Sequence, residues 1–253
     1  MSLAIITGAS RGLGASIAKR MLKEDIGIIS LARNENHDLK KLAETSDLFY
    51  QFYACDFSDQ ASLESTIDKV ASFILSSNPD HIYMFNNAGV VEPIHTAGNM
   101  DENLLLRNIQ INLTAPLYIC NELLKTVKNT EMKLDIVNVT SGAAKNPYHG
   151  WSAYCSTKAG VNMFTETVAL ELKNSGQPHR IIAFSPGIMD TEMQGVIRSS
   201  SKEAFVEIER FQGFKEKGSL RHPDKVADAL VDLILLSDQV ESGKVYNVND
   251  LIK

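Results

Sequence analysis

Short, almost wholly apolar runs alternate along the chain with longer stretches in which apolar residues recur every three to four positions. Residues 3–7, 26–32, 49–54, 82–86, 134–140, 181–185 and 244–248 read as strands. Several show no polar alternation, the mark of strands in a parallel sheet with helices on both faces. After the first run, Leu13, Ile17 and Met21 recur every four residues and Ala18 and Leu22 widen the stripe, which predicts a helix with one buried face. Leu63, Ile67, Val70, Ala71 and Ile74 repeat the pattern across 62–75. Longer helices are predicted at about 101–128 and 153–173, and a last one begins at Pro223, whose fixed φ suits a first turn. Repeated β-α-β units with right-handed crossovers predict an α/β fold: a doubly wound parallel sheet of about seven strands, of Rossmann type. No linker or internal repeat divides it, so 1–253 reads as one domain. Residues 192–220 break the rhythm with extra helical character past the sixth strand. Two readings stay open for this insert: a substrate lid, or a surface helix pair without a role.

Composition narrows the class. The chain has 253 residues and a formal net charge of −6, from 25 Lys+Arg against 31 Asp+Glu. That size needs no disulfide or metal staple, and mild acidity without a Lys/Arg run argues against nucleic acid or anionic membrane as partner. The three cysteines, Cys55, Cys120 and Cys155, have no C-x-x-C spacing and suit a reducing compartment. No apolar run approaches the roughly 18 residues of a membrane span, and Met1-Ser2-Leu3 runs into the first strand without a basic leader. A cytoplasmic protein is expected. The six histidines have no ligand spacing, so no metal site is expected.

The first chemical signal is Thr7-Gly8-Ala9-Ser10-Arg11-Gly12-Leu13-Gly14 between the first strand and first helix. Gly8 permits a tight turn, Gly12 lets the backbone approach a pyrophosphate, and Gly14 allows close packing. The helix N-terminus then faces the phosphates. At the end of the second strand, Ser30-Leu31-Ala32-Arg33 supplies no acid for a ribose 2′-hydroxyl. Arg33 and Arg11 instead suit a 2′-phosphate, so NADP(H) is expected over NAD. The alternative is a pair of solvated surface arginines.

The remaining motifs complete a pattern. Asp56-Phe57 follows the third strand, Asn86-Asn87-Ala88-Gly89 ends the fourth, and Ile111-Asn112-Leu113 lies in the following helix. Val139-Thr140-Ser141 precedes Tyr154 and Lys158, and Pro186-Gly187-Ile188 leads to Thr191. In order and spacing the chain resembles the short-chain dehydrogenase/reductase family over nearly its whole length. The resemblance implies a catalytic tetrad of Asn112, Ser141, Tyr154 and Lys158. It implies cofactor contacts from Ile6, the glycine turn, Asp56-Phe57, Asn87 to Gly89, Tyr154, Lys158, and the Pro186 to Thr191 loop.

The chemistry accounts for these residue types. Reduction of a ketone needs hydride at carbon and a proton at oxygen. Tyr154 is the candidate donor, yet a free phenol has a pKa of about 10. Lys158, at i+4 on the same helix face, is expected to lower it by favouring the phenolate. Ser141 is expected to hydrogen-bond the carbonyl oxygen, and the resemblance implies that Asn112 holds a water feeding protons through Lys158. Taken alone, Asn112 also reads as a bracing amide and Ser141 as a cap.

Within the family, Gly150-Trp151-Ser152-Ala153-Tyr154-Cys155, Asp190-Thr191-Glu192-Met193-Gln194 and the Ser242-Gly243 ending resemble the sepiapterin reductase branch and its benzil reductase relatives. The position matched to their pterin-anchoring carboxylate is Asn247, which favours an apolar vicinal dicarbonyl. A sepiapterin-type pteridine reductase and a non-catalytic NADP-binding regulator are the alternatives. Ser141, Trp151 and Met193 are the candidate substrate contacts, Trp151 as an aromatic wall or as core packing, Met193 as cofactor cover or lid packing. Cys155 reads as a buried filler. Family habit implies a homodimer through the helices at 101–128 and 153–173.

Overall fold

The computed structural model describes residues 1–237 and 240–252. Seven parallel strands form its sheet: β1 (Ser2–Thr7), β2 (Gly27–Ala32), β3 (Tyr50–Ala54), β4 (His81–Asn86), β5 (Lys133–Val139), β6 (Arg180–Ser185) and β7 (Val245–Asn247). Their order is β3-β2-β1-β4-β5-β6-β7, a doubly wound Rossmann arrangement. Helices α1 (Gly12–Leu22), α2 (His37–Thr45) and α9 (Pro223–Leu236) cover one face. The helices α3 (Gln60–Ser77), α5 (Ala115–Val127) and α6 (Ser152–Ser175) cover the other. Strand β1 shows why the runs are apolar throughout. Its Leu3 and Ile5 enter the layer of α3, α5 and α6, while Ala4 and Ile6 enter that of α1, α2 and α9. No helix among the described residues is long and apolar enough to cross a membrane.

Two departures from the sequence pattern bear on function. The single helix expected at 101–128 is three pieces: α4 (Glu102–Ile109), a π-helical segment (Gln110–Thr114) and α5. The wide turn carries Asn112, whose buried side chain bonds outward to the Val90 backbone. Such local widening commonly serves a functional side chain. The insert folds as α7 (Glu192–Arg198) and α8 (Ile208–Glu216), joined by an irregular stretch over 199–207. A last short helix, α10 (Val248–Leu251), follows β7.

The strand order reverses between β1 and β4, so a crevice opens at the carboxyl edge of the sheet. The opposite edge is tied by charge. Asp135 on β5, with a nearly inaccessible side chain, accepts from Arg180 Nε at 2.8 Å on β6 and lies 3.0 Å from His81 Nε2 on β4. Burial alone would raise this carboxyl, but the hydrogen bonds from Arg180 and His81 outweigh it and hold its pKa below the usual carboxylate range. A depressed folded pKa stabilises above the unfolded value near 4, and that contribution disappears as pH falls through the folded value. Asp135→Asn should therefore cost about 2 kcal/mol at pH 7. That is less than the ~3–5 kcal/mol of a fully buried pair, because Arg180 keeps a third of its side chain in water. Urea unfolding at pH 7 and pH 3 should show the gap between variant and wild type narrowing in acid.

Candidate active site

The loops at the carboxyl ends of β1, β4, β5 and β6 enclose a cleft of about 820 Å³, roofed by the insert. At its floor the glycine turn leaves α1 open. Arg11, at the N-cap, makes no side-chain cap bond and no acid occupies the first turn, so the first N–H groups of α1 have no competing side chain. Gly8 and Gly12 have φ of +70° and +56°, and a Cβ on Gly12 would meet only Thr191 Cγ2, at 3.7 Å across the cleft. An anionic diphosphate fits such a cradle. Gly14 plays another part. A Cβ there would lie 2.4 Å from the Gly8 carbonyl oxygen and 2.6 Å from Asn87 Nδ2, so it packs behind the turn and does not line the cleft.

Thr7 fastens that turn to the end of β4. Its hydroxyl oxygen accepts from the N–H groups of Asn87 and Ala88, both at 2.9 Å, and Asn87 Nδ2 donates to the Thr7 carbonyl at 2.9 Å. Asn87, Ala88 and Gly89 line the cleft, as do Ser10, Leu13, Arg33, Asp56 and Phe57. The Ser58 hydroxyl and backbone N–H hold the Asp56 carboxyl below its ordinary range. Ile6 is a correction: its side chain is fully buried in the α1/α9 layer and does not reach the cleft, because strand alternation turns it away. Asn36 was not foreseen. It caps α2 through Asp38 and Leu39 while its Nδ2 donates to the Ser10 carbonyl at 3.1 Å, bracing the glycine turn. The N-x-D cap signature was its one legible sign.

The arginines diverge. Arg33 is exposed at the cleft rim beyond β2. Glu35, two residues on, is absent from the cleft wall and faces His37 at 3.5 Å, while the charge of Arg33 helps lower the Asp56 carboxyl in the same cleft. Arg11 reaches across to Glu192 at the start of α7, 2.5 Å away, linking the turn to the insert.

Tyr154, Lys158 and Ser141 meet in the same cleft. Lys158 Nζ donates to the Val139 carbonyl at 2.9 Å and stands 5.8 Å from the centre of the Tyr154 ring. The expected acidification of Tyr154 is not what this packing produces. Burial pushes its phenol up to about 12, with only the Ser141 hydroxyl opposing the shift, and burial pushes Lys158 down to about 8. At that distance the ammonium does not overcome desolvation. Ser141 Oγ also accepts from the Ala143 N–H, capping the short turn at 142–144.

Asn112 is braced and stands one layer back, outside the cleft lining. Its Nδ2 donates to Val90 O at 2.7 Å and to Asn108 Oδ1 at 3.0 Å, and its Oδ1 accepts from Val90 N–H at 2.9 Å. Gly89 lies between it and Lys158, since a Cβ there would meet Asn112 Oδ1 at 3.2 Å and Lys158 Nζ at 3.6 Å. Asn108, fully buried, also donates to Val90 O and Glu92 O and so fixes the loop after β4. Nothing in sequence distinguished it from a surface amide.

The far wall is aromatic. Trp151 is buried, stacked on Phe205 at 4.7 Å and edge-on to Phe211 at 5.4 Å and Tyr154 at 5.5 Å. It is cleft wall and satellite core at once. Met193 is half-buried against the same cluster and lines the cleft, with Pro186, Gly187, Ile188 and Thr191 beside it. Cys155, expected as a small buried filler, is half-buried, its thiol 3.8 Å from the Asn146 carbonyl and outside the cleft wall.

Comparison with known proteins follows this geometry. A family model described as short chain dehydrogenase matches residues 2–202. A benzil reductase ((S)-benzoin forming) of Bacillus subtilis is 43% identical over the full length of both chains. One of the same description from Bacillus cereus is 40% identical over 99% of this chain and all of its own. The crystal structure of a short chain dehydrogenase/reductase from Saccharomyces cerevisiae matches with a TM-score of 0.81 at 27% identity, covering 99% of this chain and 97% of that one.

Proposed function

The chain belongs to the short chain dehydrogenase family and is an oxidoreductase acting on C=O/CH–OH groups, and from that premise we propose an NADPH-dependent reductase of vicinal dicarbonyls, converting a benzil-type diketone to a hydroxyketone. The observation that carries this reading is a phenol, an amine and a hydroxyl converging beside an aromatic wall: Tyr154, Lys158 and Ser141 against Trp151, Tyr148 and Phe211. A nicotinamide held by the glycine turn and the 186–191 loop would supply hydride to the carbonyl carbon. Ser141 and Tyr154 hold the carbonyl oxygen, and Tyr154 gives it the proton. A phenol this weakly acidic stays protonated until an oxyanion develops next to it, so transfer is driven by the negative charge appearing on the substrate. Lys158 restores the proton, and Asn112, through Oδ1, orients the route behind Gly89.

The uncapped α1 terminus and side-chain-free Gly8 and Gly12 support a dinucleotide diphosphate at the floor. Arg33 at the cleft rim supports a 2′-phosphate on the ribose, with Arg11 a second guanidinium in the same cleft that Glu192 holds in this structure. Replacing both with Ala should raise KM for NADPH about 10- to 100-fold and leave KM for NADH nearly unchanged; equal effects would remove the 2′-phosphate assignment. Asn247 lines the cleft with an amide whose oxygen accepts from Asn249 N–H, which disfavours a pteridine anchored by a carboxylate. Exposed Leu106, Met163 and Leu170 on α4 and α6 support pairing of two copies through those helices. The direct test of function is loss of nicotinamide absorbance with benzil, compared with pterin and simple ketone substrates.

A further inference from the structure

Helix α7 buries two side chains, Ile197 and Gln194. Ile197 joins the apolar cluster around Trp151, which explains it. Gln194, one turn earlier, is only 3% exposed and lines the cleft, yet neither Nε2 nor Oε1 has a hydrogen-bond partner. The indole N–H of Trp151 on the same cleft is also buried without a partner. Buried amides and indoles are normally satisfied, and one left unpaired destabilises the fold. The Trp151 indole is pinned between Phe205 and Phe211, whereas the Gln194 amide sits on a free torsion in the cleft lining and points to a ligand atom that completes it.

Resting on the dicarbonyl reading above, we propose that Gln194 Nε2 donates to the oxygen of the carbonyl that is not being reduced. The placement fits. The helix neighbours Met193 and Ile197 pack on the Trp151 cluster, and the Trp151 ring stands 5.5 Å from that of Tyr154, so Gln194 lies on the reacting side of the cleft. The terminal torsion of a glutamine is broad, so the amide turns into the cleft at little cost. Its carbonyl end, Oε1, is left to accept from the hydroxyl of the product hydroxyketone. Gln194 thus selects for a second oxygen and does not take part in proton or hydride transfer.

The test compares benzil with deoxybenzoin, the same skeleton with one carbonyl replaced by methylene. Gln194→Met keeps the volume and removes the polar atoms. The preference for benzil, as a ratio of kcat/KM values, should fall about 10- to 100-fold, while thermal stability holds or rises because an unpaired group is gone. An unchanged ratio in Gln194→Met, or equal losses on both ketones with a lowered melting temperature, overturns the assignment and leaves Gln194 a packing residue. Binding supplies a readout independent of turnover. Trp151 is the only tryptophan, so its emission reports titration of the two ketones into wild type and Gln194→Met. Should wild type fail to reduce benzil, the dicarbonyl reading falls; the binding ratio still decides whether Gln194 recognises a second oxygen.

Discussion

Tyr154→Phe should lower kcat for ketone reduction by about 10²- to 10⁴-fold, the range associated with a positioned general acid, while binding of the nicotinamide cofactor persists. The ring of Tyr154 stays packed against Trp151 in this variant, so melting temperature should move little and the loss will be chemical. Single-turnover kinetics with dicarbonyl checks it. Turnover close to wild type would take Tyr154 out of proton transfer. The wild-type pH profile carries a second signature. With the phenol up near 12 it remains an acid throughout the working range, whereas Lys158, held down near 8, loses its proton within it. Reduction should therefore decline as pH rises through about 8, and the decline should vanish in Lys158→Met along with most of the activity.

Gly150→Ala is the second large effect. Gly150 has φ of +84°, and a Cβ there would stand 2.0 Å from the Ala204 carbonyl oxygen. Left-handed backbone costs an alanine about 1–2 kcal/mol, and overlap with a neighbouring main chain about 1–3 kcal/mol more. A total of about 2–5 kcal/mol corresponds to a melting temperature lower by roughly 10 °C in a chain of this size. Relief by the insert would displace Ala204 and with it Phe205, the partner stacked on Trp151. KM for an aromatic diketone should rise, with KM for the cofactor nearly constant. Differential scanning calorimetry and steady-state kinetics on one preparation test both halves. Retention of wild-type stability would mean that the 199–207 stretch yields freely.

What the sequence made legible was whatever depended on a local repeat. The strands read clearly because both faces of the sheet are covered, which makes runs such as β1 apolar at every position. The glycine turn, Tyr154 with Lys158, and the proline-started α9 are likewise local patterns. Helix α2 went unread because only Leu39 and Ala43 of its nine residues are buried, leaving too narrow a stripe to stand out. The π-helical turn has no compositional sign; it arises because Asn112 bonds to a loop 22 residues earlier. Asn36, Asn108 and Gln194 owe their roles to neighbours from other elements, and polar residues of that kind look like surface until the chain is folded. The arginine of the glycine turn faces an acid 181 residues later, which no window along the chain contains. The expected acidity of Tyr154 failed for a related reason: spacing gives the direction in which an amine lies, but burial decides the energy.

The charged knot of Asp135, Arg180 and His81 has a practical meaning for anyone reshaping this molecule. It sits at the opposite end of strands roughly 20 Å long from the reacting groups, and effects at sites so far apart combine almost independently. Resilience to heat or acid can be bred into that end, and substrate range altered at the other, in separate campaigns whose gains should simply accumulate.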